Sequence, residues 1–403
     1  MTIPFGENPW MQHVTQSPTE SAFVQNPYPF YDRIRSLGDL VWWDDYDMVC
    51  ATGYQAVNAI LRDRRLGREM LADLQKPIPE RLAAFYDIEA HSMLELNPPR
   101  HTRLRSLVLR AFTSRRIKEL APEIEVLCHQ LIDDFPTGDV DLLTAYAQKI
   151  PVIIIARLLG VPEAMADQLL LWSGAMVTMY QARRTRTDED NAVTASREFS
   201  DFMRGYVDQR RSAPADDLIS HLIAAEEDGA KLSTDELITT CILLLNAGHE
   251  ATVHSMGNGL KTLLEQQIPL AAMRPEHIDT TVEEILRYDP SLHLFMRIAT
   301  EDLQLFGHDI KRGQTVACLL ASANRDPAAY VHADQFQYER AIKPNTSFGG
   351  GLHFCVGAPL ARLEIKIALP VLFERCPNLR LSAAPKYANV FHFHGLERLD
   401  VTY

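Results

Sequence analysis

The chain has 403 residues, of which 46% are hydrophobic, and a formal net charge of −13 at neutral pH. This composition is ample for a large buried core, whereas the acidic balance disfavours nucleic acid or an anionic membrane as the main partner. The six cysteines are scattered and form no CxxC pair, which predicts reduced thiols in a cytoplasmic protein rather than a disulfide framework. The first sixteen residues lack a basic start and an apolar block, so we expect no signal peptide. The most apolar stretch, residues 150–161, is too short and interrupted to span a membrane.

Helical periodicity dominates the middle of the chain, and short strand-like segments lie towards its two ends. Residues 232–264 open with a capping-box pattern and stay apolar over several turns, which predicts a long central helix. Further helices are predicted at residues 100–112, 117–135, 193–211 and 279–288. Two hairpins are predicted, one from residues 39–43 and 48–51, the other from residues 303–306 and 315–319 with a turn at 307–313. We therefore predict a single, mainly α domain over residues 1–403, with β-rich parts near residues 39–60 and 298–320 and at the C-terminus.

A glycine-rich loop that ends in a cysteine is the most informative segment. It has the sequence Phe348-Gly-Gly-Gly-Leu-His-Phe-Cys355-Val-Gly357. Three consecutive glycines allow close approaches that side chains resist, and the amides of a following helix N-terminus stabilise a thiolate. Cys355 is therefore predicted to be a metal ligand. Buried apolar packing, the commoner role of a cysteine, is expected of the other five.

Six positions of this loop resemble the haem-binding signature of the cytochrome P450 family: Phe348, Gly349, Gly351, His353, Cys355 and Gly357. The resemblance implies the P450 fold and a haem b (iron protoporphyrin IX) whose axial ligand, and only protein ligand to the metal, is Cys355. It also implies that Phe348 packs beside the sulfur, that Gly349 belongs to the cofactor-binding loop, and that His353 contacts a haem propionate.

Two further sets of residues occur in the order that the family has. Glu284 and Arg287 lie three residues apart on one predicted helix face, and with Arg340 they resemble the family's ExxR network, an ion triad that braces the cysteine loop. Taken alone, such a pair would by default be a solvated surface pair. The residues that the resemblance places against the haem propionates are His101, Arg105 and Arg297.

A short segment of the predicted central helix, Ala-Gly-His-Glu-Ala-Thr, resembles the family's oxygen-activation segment. Gly248 would let the helix pass close to the porphyrin, and Glu250 would deliver protons. His249 is expected to turn into packing or a salt bridge. The family's threonine after the acid is Ala251 here, and Thr252 lies about 100° further round the helix. Three explanations stay open: water or a substrate hydroxyl completes the proton relay, local unwinding brings Thr252 inward, or the reaction needs less controlled proton delivery.

The resemblance implies a monooxygenase that inserts oxygen from O2 into a medium-sized, natural-product-like organic substrate. The sequence contains no flavin or nicotinamide fingerprint, so electrons are expected from a ferredoxin or flavodoxin and its reductase, docking near the arginines of residues 100–116. The alternatives are a P450 that catalyses oxidative coupling or peroxide-driven oxidation, and a catalytically silent haem protein that recruits substrate or activates a partner enzyme. The implied pocket walls are residues 86–94, 177–182, 243–247, 291–295 and 390–393, which include His91, His293 and His392.

Overall fold

The computed structural model of the protein describes residues 11–181, 184–225, 231–390 and 393–403. The helices α1 to α15, in chain order, are Ser21–Gln25, Tyr28–Arg35, Tyr54–Arg62, Ala83–Glu89, Arg100–Ala111, Ser114–Glu119, Ala121–Asp133, Lys149–Leu159, Ala166–Val177, Arg186–Ser212, Leu218–Ala224, Thr234–Glu265, Ile278–Tyr288, Leu320–Asn324 and Ala358–Arg375. The strands β1 to β13 are Gln12–Val14, Leu40–Trp43, Met48–Ala51, Leu66–Gly67, Val140–Asp141, Leu294–Ala299, Leu303–Leu305, His308–Ile310, Thr315–Leu319, Arg380–Leu381, Lys386–Tyr387, Leu396–Arg398 and Asp400–Thr402. In these described parts, no helix is both long enough and apolar enough to cross a bilayer.

The chain forms two compact units, each assembled from separate stretches of sequence. Unit 1 comprises residues 1–75, 254–355 and 380–400, and unit 2 comprises residues 76–253, 356–379 and 401–403. The long helix α12 belongs to both, because the division falls between Val253 and His254. The predicted capping box opens this helix: the Ser233 hydroxyl accepts from the Glu236 amide at 3.2 Å, and the Glu236 carboxylate accepts from the Ser233 amide at 2.9 Å.

Unit 1 is built on a six-stranded mixed sheet with the strand order β1-β2-β3-β9-β6-β4. The predicted first hairpin is present as the antiparallel pair β2 and β3. Side chains alternate along β2, so Leu40 and Trp42 pack with α3, while Val41 and Trp43 pack with α2. The sheet is therefore buried on both faces.

The second predicted hairpin is wrong in its pairing. Strand β7 pairs with β8, whereas β9 pairs parallel with β3 and antiparallel with β6, a strand that the sequence analysis did not predict. Phe306 and Gly307, with φ of 47° and 81°, join β7 directly to β8. Positive φ at both central residues is the requirement of the tight type I′ hairpin turn, which leaves β9 to find partners elsewhere.

Unit 2 is helical, and two of its helices differ from the predicted ones. Residues 117–135 form two helices, α6 and α7, because Pro122 cannot continue a helix but suits the first turn of a new one. Helix α10 begins at Arg186 rather than at 193, since Thr185 and Asp188 form a reciprocal capping box there.

Candidate functional site

Cys355 differs from the other five cysteines in its exposure. Cys50, Cys128, Cys241, Cys318 and Cys376 are buried, whereas Cys355 is partly exposed. Burial raises the pKa of Cys128, Cys241 and Cys318 to about 12, so these groups are thiols at neutral pH. The five buried cysteines thus act as small apolar side chains, as predicted, and Cys355 is the one that is partly exposed.

The three glycines of the cysteine loop are required by packing within unit 1. Gly349 has a φ of +68°, and a Cβ there would meet the Phe295 ring at 2.8 Å. Gly351 has a φ of +67°, and its Cβ would come within 2.3 Å of the Leu61 carbonyl oxygen. A Cβ on Gly350 would come within 3.1 Å of the Arg62 guanidinium. The loop is therefore pressed against β6 and the end of α3, which fixes its backbone.

Hydrogen bonds that the sequence analysis missed hold the base of the same loop. The Asn324 side-chain oxygen accepts from the amide of Thr346 at 2.8 Å and from its hydroxyl at 2.9 Å. The Asn324 amide group donates to the Ser347 hydroxyl, which in turn donates to the Leu286 carbonyl at 2.6 Å. Above them, the Cys355 amide donates to the Phe348 carbonyl at 3.0 Å. The chain on the N-terminal side of Cys355 is thus tied to α13 and α14.

The predicted ion triad is present and buried. Arg287 donates from Nε and Nη2 to the two oxygens of Glu284, each at 2.7 Å, and Arg340 Nε lies 3.0 Å from both. The Gln337 amide adds a further bond at 2.8 Å. Arg287 also donates to the carbonyls of Asn324 and Ala333. Since Asn324 holds the cysteine loop, the triad braces the chain around that loop, and a solvated surface pair is excluded.

The remaining predicted residues of unit 1 lie on β6 or on the loop itself. Arg297 is buried on β6 and donates from Nη1 to the Met296 carbonyl at 3.0 Å. His353 is partly exposed at the end of a single 3-10 turn that precedes Cys355. The Phe348 ring meets the Phe354 ring edge-on, with centroids 6.4 Å apart.

In unit 2, His101 and Arg105 lie one turn apart on α5, as predicted. His101 is buried and Arg105 is half-buried. Burial, together with the positive charge of Arg105, lowers the pKa of His101 to about 4. The imidazole is therefore neutral at pH 7 and offers a hydrogen-bond donor, while the guanidinium supplies the charge.

The predicted oxygen-side segment lies within α12, which runs unbroken from Thr234 to Glu265. Glu250 keeps 24% of its side-chain exposure, whereas its neighbour His249 keeps 3%. The buried Thr252 donates its hydroxyl to the Gly248 carbonyl at 3.3 Å, one turn back. Local unwinding at Thr252 is therefore not present. A Cβ on Gly248 would meet only Ile155 among the described residues, at an ordinary 3.6 Å.

Asn246, one turn before Glu250, is a polar residue that the sequence analysis did not single out. Its amide nitrogen lies 3.6 Å from the thioether sulfur of Met176, a weak acceptor. Its side-chain oxygen is buried and, within the described residues, has no hydrogen-bond partner. Residues at i and i+4 share a helix face, so this amide lies on the same face of α12 as Glu250.

The histidines of the predicted pocket walls are His91, His293 and His392. His293 is fully buried in unit 1, with Nδ1 2.9 Å from the Tyr31 hydroxyl. His91 in unit 2 lies near Glu236 at the start of α12, and its buried Nδ1 has no hydrogen-bond partner within the described residues. His392, with Ala182 and Phe391 of the predicted walls, falls outside the described residues.

His293 belongs to a buried network in unit 1. Asp289, His293 and His394 bring possible metal ligands within 4.8 Å of one another. The Asp289 carboxylate, however, already accepts hydrogen bonds from the hydroxyl of Tyr28, at 2.6 Å, and from that of Tyr387. We therefore describe the cluster as a buried hydrogen-bond network centred on the Asp289 carboxylate.

Comparison with known proteins decides the family. The family model described as Cytochrome P450 matches residues 275–381. The chain is 37% identical to the Cytochrome P450 monooxygenase PikC of Streptomyces venezuelae, over 90% of this chain and 87% of that protein. It is 36% identical to the Polyketide biosynthesis cytochrome P450 PksS of Bacillus subtilis (strain 168), over 97% and 99%. The chain belongs to the cytochrome P450 family. The solved structure of P450BioI in complex with an acyl carrier protein that bears hexadec-9Z-enoic acid superposes on it with a TM-score of 0.89 at 33% identity, covering 95% of this chain and 99% of that one.

Membership confirms the predicted P450 fold and assigns the protein as a cytochrome P450 monooxygenase, an oxidoreductase with a haem-thiolate cofactor. The residues present fit that group. Cys355 is the one cysteine of the six that is partly exposed, and it sits in a fixed loop. On α12, Ala247 is exposed, and Gly248 has no side chain to extend the helix surface.

Proposed function

We propose that this P450 inserts one oxygen atom of O2 into a medium-sized, natural-product-like substrate, using haem b and electrons from a separate redox protein. The observation that carries the proposal is the partly exposed Cys355, held in a braced loop that has the family's haem signature. The relatives point to the substrate class. PksS is named for polyketide biosynthesis, and the P450BioI structure holds a fatty-acyl carrier protein.

The residues proposed to hold the cofactor are those of the haem-loop signature and those that the family resemblance assigns to the propionates. Cys355 would ligate the iron, and Phe348 and Gly349 would flank the sulfur. When bound, haem with a thiolate ligand supplies the binding and activation of O2. The residues proposed to bind the propionates are His101, Arg105, Arg297 and His353. The neutral His101 would donate a hydrogen bond there, and the arginines would supply charge-assisted ones.

Proton delivery is proposed to run through Glu250, assisted by water or by a substrate hydroxyl. Ala251 lacks the hydroxyl that the family has at this position, and the Thr252 hydroxyl is bonded to the Gly248 carbonyl of an unbroken helix. Glu250→Gln is expected to slow turnover by about 10²-fold, since general acid catalysis is commonly worth 10²–10⁴. An unchanged rate would remove Glu250 from the mechanism.

Ala251→Thr separates the two kinds of assistance. If water alone completes the relay, the new hydroxyl should raise the fraction of electrons that end in product. If a substrate hydroxyl does so, the added side chain should lower activity with the native substrate. The measurement is the product formed per NADPH consumed, with Thr252→Ser as a control that keeps its hydroxyl.

The Asn246 amide is proposed to bind an oxygen-bearing group of the substrate. Its nitrogen has only a thioether as acceptor, and its side-chain oxygen has no partner within the described residues. Such under-satisfied groups favour a ligand that completes them. Asn246→Leu should weaken binding of the native substrate about tenfold or more, and should leave binding of an analogue that lacks the bonded oxygen unchanged. Equal losses for both compounds would refute the proposed contact.

The electron donor is proposed to be an acidic ferredoxin or flavodoxin that docks near α5. Residues 100–116 contain six arginines and no acid, but part of this charge is compensated inside unit 2. Arg103 contacts Glu236, Arg115 lies 2.9 Å from Glu119, and Arg116 lies 2.7 Å from Asp216.

Exposed Arg110 is the position that tests this docking most simply. Reduction by a surrogate ferredoxin should slow as ionic strength rises, and Arg110→Gln should slow it further at low salt. Arg197→Gln, which removes the same charge from an exposed position on α10, should leave the rate unchanged. Reduction without a salt dependence would contradict the docking surface.

The activity itself is tested by a spectral screen followed by turnover. Polyketide lactones and fatty acids are screened for a shift of the haem Soret band, which reports displacement of water by a fitting molecule. The compounds that shift the band are then incubated with a surrogate ferredoxin, its reductase and NADPH. Oxygenated product supports the proposal. Product only with hydrogen peroxide would favour the peroxide-driven alternative, and tight binding without any product would favour the silent haem protein.

A further inference from the structure

Within unit 2, the buried His249 lies beside Glu250 on α12. Its Nδ1 is 2.8 Å from the Leu245 carbonyl oxygen one turn back on α12. A carbonyl can only accept, so Nδ1 carries the hydrogen. The imidazole is therefore oriented by its own helix, and its second ring nitrogen, Nε2, faces Glu250. That atom lies 3.9 Å from Oε1 of Glu250.

The protonation of Nε2 decides what these two groups can do together. In the neutral ring Nε2 is an acceptor, which repels an ionised carboxylate but accepts from a protonated one. In the charged ring Nε2 is a donor, which suits the carboxylate but not the carboxylic acid. The contact is therefore favourable when the two atoms share one proton, whether that proton is assigned to the imidazole or to the carboxyl group. A rotation of the Glu250 side chain that shortens the separation by about 1 Å would give a hydrogen bond of ordinary length.

We propose that His249 is a positioning residue that keeps one proton shared between its Nε2 and Oε1 of Glu250, in place of the threonine hydroxyl that Ala251 does not supply. The pair would hold Glu250 as a proton donor on the partly exposed face of α12. After Glu250 gives up its proton, water on that face returns one to the pair, so protons balance over a cycle. This inference rests on the proposed role of Glu250.

Two conservative variants separate this role from simple packing. Asparagine places an amide near the Nδ1 position, where it keeps the bond to the Leu245 carbonyl but cannot reach Glu250. Glutamine places its amide near the Nε2 position and can reach Glu250. A positioning role predicts that His249→Gln keeps function and that His249→Asn loses it, whereas a packing role predicts the reverse or equal effects.

The first measurement needs no organic substrate. The haem-loaded protein, a surrogate ferredoxin and its reductase are followed by NADPH oxidation in H2O and D2O. We expect His249→Asn to slow oxidation about tenfold and to raise the solvent isotope effect, and His249→Gln to stay within about threefold of the parent. Adding His249→Asn to Glu250→Gln should change the rate less than twofold, because groups that act as a unit are not additive.

The second measurement is spectroscopic and independent of turnover. Infrared difference spectra on photolysis of the carbon monoxide complex should contain a carboxylic acid band that disappears in Glu250→Gln. The band should shift in His249→Asn and stay in place in His249→Gln. Equal rates and bands for both His249 variants would overturn the shared proton while leaving Glu250 as donor. An unaltered Glu250→Gln variant would overturn the proposed role of Glu250 in proton delivery, on which the shared proton rests.

Discussion

The Glu284 carboxylate is the centre of the triad that braces the cysteine loop, so its removal tests how that loop is held. Its side chain is 1% exposed, and those of Arg287 and Arg340 are 2% and 12% exposed. Glu284→Gln keeps the shape of the side chain but removes its charge. One carboxylate oxygen becomes an NH2 group that faces guanidinium donors, so the two charge-assisted bonds of Arg287, each 2.7 Å long, cannot both persist.

The cost follows from the bonds that are lost. Hydrogen bonds to charged groups contribute about 1.5–3 kcal/mol each, and the loss of about two gives roughly 3–6 kcal/mol. This agrees with the 3–5 kcal/mol typical of breaking a buried ion pair from one side. Because whole domains are stable by only about 5–15 kcal/mol, the variant should be expressed with a reduced haem content.

Urea denaturation of the full chain, followed by tryptophan fluorescence, measures the effect. With a denaturant slope of about 3 kcal/mol per molar, the midpoint should fall by about 1–2 M. Glu283→Gln is the matched control, since its partly exposed carboxylate receives an Asn345 amide bond at 3.1 Å and lies outside the triad. A Glu284→Gln midpoint equal to the parent's, or a control that loses as much, would refute the reasoning.

Two other perturbations have clear signs. Gly351→Ala should abolish haem retention, because an added Cβ meets the Leu61 carbonyl at 2.3 Å. The control Gly307→Ala has a similar positive φ but nothing within 4 Å, so it should lower the unfolding free energy by only about 1–2 kcal/mol. Equal haem content in both variants would contradict this. Burial, reinforced by the charge of Lys261, lowers the pKa of His394 to about 3. Below about pH 6.5, His394 is therefore protonated in the unfolded chain but stays neutral in the folded chain. The unfolding free energy should fall as pH is lowered from 6.5 towards 3, and His394→Gln should flatten that slope; an unaltered slope would count against the buried imidazole.

The cysteine loop and the ion triad could be predicted from the sequence because their chemistry is local. One pattern is three glycines shortly before Cys355, and the other is a carboxylate three residues from a guanidinium. Both can be interpreted without knowing which residues from distant parts of the sequence lie nearby. The sequence could not reveal what the glycines touch, since Phe295 and Leu61 are far from them in the chain. Asn324 was missed because a single amide in irregular chain has no periodicity to mark it.

Strand pairing and helix boundaries were less predictable, for physical reasons that particular residues show. The turn at Phe306 and Gly307 needs two consecutive positive φ angles, and phenylalanine is an unusual residue for that conformation. Helix α10 begins several residues early because the Thr185–Asp188 capping box precedes its apolar pattern. In each case a local backbone requirement overrode the hydrophobic pattern used to place the element.

The central claim is that the sulfur of Cys355 binds the haem iron, and one spectrum tests it directly. The intact protein is purified with its haem, reduced and exposed to carbon monoxide. Thiolate ligation predicts a Soret band at about 450 nm. Cys355→Ser should lose this band, while the buried-cysteine control Cys241→Ser should retain it. The account would be contradicted by a native, haem-loaded protein whose band stays at about 420 nm. It would also be contradicted by a Cys355→Ser variant that keeps the band at about 450 nm.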